Sequence, residues 1–144
     1  MKMKPRLEHA NLSVRNVDTM VKFLLTAFPE FELRHDARDA EDERWVHVGT
    51  EETYIALYQA TAEVEPSRTP YGGQPGVNHL GYEVENVEAL RARLWDAGYR
   101  DSSVPNEHPH RRRVYFVDPE GNDWEFVEYT SENPRERNDY SLPS

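Results

Sequence analysis

Cysteine is absent from this 144-residue chain, and with it go disulfides, thiolate metal ligands and thiol nucleophiles. No apolar run is long enough to span a bilayer. The opening MKMKPRLEH is basic but has no apolar stretch behind it, so neither a membrane span nor a secretory leader is expected. A cytoplasmic location fits these absences. Cations are scarce as well: 17 Lys and Arg stand against 27 Asp and Glu, for a formal net charge of −10. That balance argues against a nucleic-acid partner, because no face has the cation excess that phosphate binding needs. The one basic run, Arg111-Arg112-Arg113, is short and reads as the solvated start of a strand.

The composition, 37% hydrophobic and 31% charged, is that of one ordinary globular domain with enough length to bury a core. Its organisation is a duplication. LEHANLSVRNVDTMVKFLLTAF, with His9, lies in register with VNHLGYEVENVEALRARLWDAGY, with His79. Aligned on the histidines, Val14 meets Val84, Asn16 meets Asn86, Val17 meets Val87, Leu24 meets Leu94 and Ala27 meets Ala97. The second halves follow without a gap, RWVHVGTEETYIALY over RVYFVDPEGNDWEFV, which sets Ala56 opposite Glu125.

Periodicity then assigns the elements. Leu7 to Val14 alternates as a strand, with Ala10, Leu12 and Val14 on one face and His9, Asn11 and Ser13 on the other. Asp18 is positioned to cap a helix over Thr19 to Phe28, which Pro29 ends. A charged connection, Asp36 to Glu43, has room for a further short strand before strands at Arg44 to Val48 and Tyr54 to Gln59. The second copy repeats the order: strand Val77 to Val84, helix Val87 to Ala97 with Gly98 as its stop, and strands Arg113 to Val117 and Asp123 to Tyr129 around the tight turn Asp118-Pro119-Glu120-Gly121-Asn122. Module one therefore covers 5–61, a Pro/Gly linker 62–76, module two 77–130 and a loosely packed or partner-crossing tail 131–144. The fold class expected is α+β, with two tandem modules sharing one core.

Strand parity singles out three side chains. Trp124 and Phe126 belong under the helix, so Glu125 points to the other face. Leu80, Tyr82 and Val84 likewise leave His79 on that face, and His9 follows in copy one. Taken singly, each reads as readily as a hydrogen-bonded interior histidine or a half-exposed strand acid. Their coincidence in parity and repeat position points to a divalent metal held by two imidazoles and a carboxylate, with positions left open for substrate. Ligand type alone leaves Fe, Mn, Ni and Zn all eligible. Tyr58 shares the parity of Ala56 and is a candidate substrate contact or an ordinary packing residue. By the gapless alignment His47 lies over Phe116 and should pack toward the helix, while Trp45 and Trp95 read as core aromatics. His108 and His110, in a loop with Pro105 and Pro109, read as solvated. Glu128 has the parity of Trp124 and is a poorer ligand candidate than Glu125.

The paired modules, the strand-starting histidines and the segment VYFVDPEGNDWEFVEY resemble the vicinal oxygen chelate superfamily, which includes glyoxalase I, bleomycin-resistance proteins, fosfomycin-resistance enzymes and extradiol dioxygenases. The resemblance runs up to about Tyr129. It implies two βαβββ modules forming a cupped mixed sheet around a metal, often completed by a second subunit, and hence a homodimer. It makes His9, His79 and Glu125 the metal ligands. The fourth ligand position, a Glu in glyoxalase I, falls on Ala56, so a three-ligand set like that of extradiol dioxygenases and fosfomycin-modifying enzymes is implied, with dioxygenase-like or lyase/isomerase-like chemistry on a small oxygen-rich substrate. Tyr115 and Asn11 resemble active-site positions of some extradiol dioxygenases. The alternative is a metal-free protein that binds and sequesters a drug or metabolite, as bleomycin-resistance proteins do.

Overall fold

Strand alternation followed by helical spacing, met twice along the chain, builds the same element order twice. The computed structural model describes residues 3–61 and 69–144. The chain divides into two units, residues 1–65 and 66–144. The first contains β1 (His9–Val14), α1 (Val17–Ala27), β2 (Glu32–Arg38), β3 (Arg44–Gly49) and β4 (Tyr54–Gln59). The second contains β5 (His79–Glu83), α2 (Val87–Asp96), β6 (Arg100–Asp101), β7 (Arg111–Val117), β8 (Asp123–Tyr129) and a short α3 (Pro134–Arg137). Of the Pro/Gly segment expected as a linker, 62–68 lie outside the described residues. The remainder forms turns in which Tyr71 takes a positive φ of 61°. Among the described residues no helix is long and apolar enough to cross a membrane.

The sheets repeat as faithfully as the sequence does. The orders are β1-β4-β3-β2 and β5-β8-β7-β6, with the first pair of each parallel and the rest antiparallel. This is the expected α+β fold of two βαβββ modules. In the first unit Val46, Val48, Ile55 and Leu57 are buried along with Met20, Phe23 and Leu24 of α1. In the second, Val114, Phe116, Trp124 and Phe126 are buried along with Leu90 and Leu94 of α2. Each such side chain contributes about 1.5–3 kcal/mol relative to exposure, so helix and sheet face hold each other.

Several local readings need correction. The caps are Asn16 and Asn86, whose Oδ1 atoms accept from Thr19 N (3.1 Å) and Ala89 N (3.0 Å). Asp18 sits instead in the first turn, where its charge suits the helix dipole. β2 occupies part of the charged connection and begins earlier than the space foreseen for it, at Glu32. Its residues are almost all exposed, which is why it shows no alternation. The arginine run opens β7, which begins at Arg111 and not at Arg113. Trp95 is 63% exposed, because α2 buries Val87, Leu90 and Leu94 and turns Trp95 outward. His108 is buried: its Nε2 donates to the Asp139 carbonyl (3.2 Å) and its Nδ1 accepts from His110 N (3.2 Å). That imidazole ties the tail back onto its own unit, helped by Arg137, which pairs with Glu83 (2.8 Å) and lies over the Tyr129 ring.

Two turns are set by their residues. After α2, Gly98 takes φ 86°, so Gly98 N can bond Trp95 O and Tyr99 N can bond Leu94 O, closing the helix in a Schellman motif. Between β7 and β8, buried Asp118 gathers four donors. Oδ1 accepts from Glu120 N and Asn122 N, and Oδ2 from Asn122 Nδ2 and Trp124 Nε1, at 2.8–2.9 Å. Burial pushes this carboxyl up despite those donors. Asp118→Asn places an amide NH2 where one oxygen accepts, leaving donors unpaired beside a fully buried Trp124. A loss of about 2 kcal/mol in urea unfolding is expected, and an unchanged midpoint would show that Asp118 does not organise the turn.

Candidate metal centre

In the second unit, pairing of β5 with β8 sets Gly81 against Glu125 and His79 against Asp123. The faces follow: Trp124 and Phe126 go under α2, and His79 and Glu125 share the other side. His79 Nε2 lies 2.9 Å from Glu125 Oε2. The other ring nitrogen, Nδ1, is 2.7 Å from Asn78 Oδ1, which can only accept, so Nδ1 carries the proton. Nε2 then presents a lone pair to a carboxylate oxygen. Two acceptors that close need a cation between or upon them, either a proton or a metal ion. The donor set, an imidazole nitrogen with its far side fixed and a half-buried carboxylate, therefore fits a divalent ion. Within either unit's described residues, no three His, Asp or Glu side chains gather to hold an ion by themselves.

Around this pair stand groups of the same face. Tyr115 faces Glu125 across β7 and β8, and its ring meets the His79 ring edge-on at 5.7 Å. Burial, with the Glu125 charge beside it, pushes the Tyr115 phenol up to about 12, so it remains a donor at neutral pH. Tyr71 stacks on His79 with its hydroxyl 3.4 Å from Nδ1, and its phenol too is held up, first by burial and then by Asp123. The positive φ of Tyr71 is a strained conformation for a bulky residue, of the kind found at working sites. Arg113 is the neighbour that sequence reasoning missed. Its Nη1 is 3.8 Å from Glu125 Oε1 and 3.5 Å from Tyr115 Oη. Parity held the signal, since Arg113 and Tyr115 are two apart on one strand, but the triple arginine disguised it as surface.

A cavity of about 700 Å³ adjoins the pair. Tyr71 and Tyr115, the rings in contact with His79, form part of its wall, together with Arg113, Arg100, Ser102 and Val104.

In the first unit, His9 and Asn11 are exposed on the β1 face away from α1. His9 Nδ1 lies 2.9 Å from Glu8 Oε1, and its ring stacks on Tyr54. Ala56 pairs with Asn11 on one side and His47 on the other. Tyr58 has the expected face, but its hydroxyl is taken by Glu43 and, at 2.9 Å, by Asp39; those carboxylates hold its phenol far up. His47 corrects the gapless alignment. It stacks on Tyr54 and contacts Trp45, on the face away from the helix. The hairpin loop here spans 50–53, whereas its counterpart spans 118–122 and is one residue longer. One residue flips parity along a whole strand, so His47, opposite Ala56, is the true counterpart of Tyr115, opposite Glu125.

The chain belongs to the Glyoxalase/Bleomycin resistance protein/Dioxygenase superfamily, whose family model matches residues 6–126. Among solved structures it is similar to a glyoxylase/bleomycin resistance protein/dioxygenase domain from Frankia sp. EAN1pec (TM-score 0.73, 19% identity, covering 88% of this chain and 99% of that one). It is also similar to the fosfomycin resistance protein FosX from Mesorhizobium loti (TM-score 0.68, 18% identity, 94% and 98%). A third is a mutant FosX from Listeria monocytogenes complexed with Mn(II) and 1S,2S-dihydroxypropylphosphonic acid (TM-score 0.69, 16% identity, 94% and 99%). No curated protein matches the chain significantly.

His47 offers a direct check on the corrected register. Burial first, then the Arg34 charge, pulls its pKa below that of an ordinary histidine, so its ring stays neutral as pH falls past the usual histidine midpoint. In metal-free protein, NMR titration should show a depressed His47 midpoint that rises in Arg34→Gln. A midpoint unmoved by that change would remove Arg34 as a cause.

Proposed function

We propose that the protein is a divalent-metal-dependent enzyme of this superfamily, with His9, His79 and Glu125 as the metal ligands and a small oxygen-rich molecule as substrate. The observation that carries this reading is the 2.9 Å approach of His79 Nε2 to Glu125 Oε2 with Nδ1 committed to Asn78. Support comes from FosX, whose complex with Mn(II) includes a phosphonic acid with hydroxyls on adjacent carbons.

A bound divalent ion supplies Lewis acidity toward adjacent substrate oxygens and, with iron or manganese, redox chemistry toward dioxygen. The chain's own groups do the rest. Asn78 fixes the His79 tautomer, and Tyr115, protonated at neutral pH, donates to an oxygen on which negative charge develops. Tyr71 stacks on the His79 ring and adds a second phenol beside it. Asn11 adds a polar side chain on the His9 face of β1. Ala56 brings no carboxylate, so the ligand set is the open one of three, which suits dioxygenase-like chemistry and lyase/isomerase-like chemistry on a chelating substrate. The working unit in this reading is a homodimer, which light scattering at micromolar concentration tests; a monomer there overturns it.

A second reading is a binding protein that holds its ligand without metal. The cavity favours it to this extent: none of His9, His79 or Glu125 is in its wall. Metal analysis separates the two. Protein purified without chelator should carry stoichiometric metal. Asn78→Ala should weaken metal affinity about 10–100-fold, the usual cost of removing a ligand's hydrogen-bond partner, and Glu125→Ala should weaken it further. Equal, negligible metal in wild type and Glu125→Ala would overturn the metalloenzyme reading.

A further inference from the structure

We infer that the cavity of the second unit is an anion-binding pocket, with Arg113 as its specificity-determining residue, and that the substrate is a carboxylate borne on an apolar or aromatic body. This names the substrate class for the site proposed above and rests on that reading only for the chemistry that follows binding.

Arg113 is the starting point. Its side chain is only 16% exposed, yet its hydrogen-bonding capacity is barely used. Nε is buried and has no partner. Nη1 reaches Tyr115 Oη at 3.5 Å and Glu125 Oε1 at 3.8 Å, both longer than the roughly 2.7–2.9 Å of a charge-assisted hydrogen bond. A guanidinium has five N–H donors and loses much by desolvation, so a half-satisfied one costs stability; Nε is enclosed, and the Nη groups are the donors a ligand in the cavity would complete. A planar carboxylate matches it in shape and charge.

The cavity wall agrees. Arg113 and Arg100 both line it, against the single carboxylate of Asp123, which Ser102 Oγ engages at 2.6 Å. Glu125 lies behind Arg113 just outside this wall, and Arg100 and Asp123 share Val117 as their strand neighbour, so each guanidinium has a carboxylate in its neighbourhood. The wall itself carries two guanidiniums against one carboxylate, and that carboxylate is already engaged by Ser102. Apart from Thr69 and Gly121, the remaining wall is apolar or aromatic: Pro70, Tyr71, Val104, Tyr115 and Val117. At about 700 Å³ the space exceeds what a bare inorganic anion fills. Arg113 with apolar and aromatic wall around it selects an amphiphilic acid. Arg113 also shares its face of β7 with Tyr115, which reaches the His79 ring, so a carboxylate on Arg113 holds the rest of the molecule beside His79 and Glu125.

The test uses 2-naphthoate, with neutral 2-naphthamide as its isostere, titrated by calorimetry into full-length protein stripped of metal by chelator. Naphthoate should bind at least about tenfold more tightly than naphthamide, the worth of a charge-assisted hydrogen bond. Arg113→Gln should remove that preference, and Arg113→Lys, which keeps the charge but not the fork, should restore part of it. Naphthamide affinity should be the same in all three proteins, which also shows that the pocket is folded. Equal binding of acid and amide, an acid preference that survives Arg113→Gln, or loss of both ligands with Arg113→Gln and Arg113→Lys alike would overturn the inference. Because the protein is metal-free, these outcomes are independent of whether Glu125→Ala abolishes metal content.

Discussion

Everything distinctive about each unit depends on a sheet that can hide only one of its faces. A single helix covers one side of four strands, so Val46, Val48, Ile55 and Leu57 in one unit, and Val114, Phe116, Trp124 and Phe126 in the other, must all point the same way. Side chains alternate along a strand, and the residues between them have no choice but the opposite face. His47, Tyr54, Ala56 and Tyr58, and equally Arg113, Tyr115 and Glu125, are placed by the burial of their neighbours. The chemistry of the candidate site is in this sense a by-product of core packing. A substitution that slipped β8 by one residue would bury Glu125 and expose Trp124 in one step.

That constraint explains both what could be read in the sequence and where reading failed. Duplication and alternation made the two βαβββ modules legible, together with the faces of His9, His79 and Glu125. The contact between His79 and Glu125 follows from parity plus the β5–β8 register. What could not be read were features that leave no periodic trace. β2 is an almost fully exposed edge strand, and β6 is only two residues long, so neither alternates. Aromatic character says nothing about which side of α2 Trp95 occupies. His108 lies in a proline-bearing loop, and the returning tail meets it there through the Asp139 carbonyl.

The parity error at His47 is the most instructive, because its cause is a single residue. Loop 118–122 is built around Asp118, whose carboxylate needs Glu120 N, Asn122 N and Trp124 Nε1 within reach. The shorter loop 50–53 closes on a smaller hub, the Thr50 hydroxyl, which accepts from Glu52 N and Thr53 N and reaches no further. An alignment that ignores the difference keeps β4 and β8 in register and puts β3 and β7 out of it. Corrected, the equivalence is His47 with Tyr115 and Ala56 with Glu125, each pair directly opposed across its own hairpin.

With that equivalence, the open faces of the two units differ in kind. On the open face of the first, rings accumulate: His35, Trp45, His47, Tyr54 and His9 follow one another in stacked or tilted contacts, with Arg34 over Tyr54 and Glu8 against His9. On the open face of the second, charge accumulates: Glu125 against His79, Arg113 against Glu125, with a cavity alongside. A carboxylate at position 56 would stand opposite His47, where burial, the largest cause of the depressed His47 pKa, disfavours a charged group of either sign. Ala56 avoids that desolvation. The one carboxylate of the proposed ligand set therefore stands in the unit where an imidazole, a phenol and a guanidinium are all within reach to stabilise it.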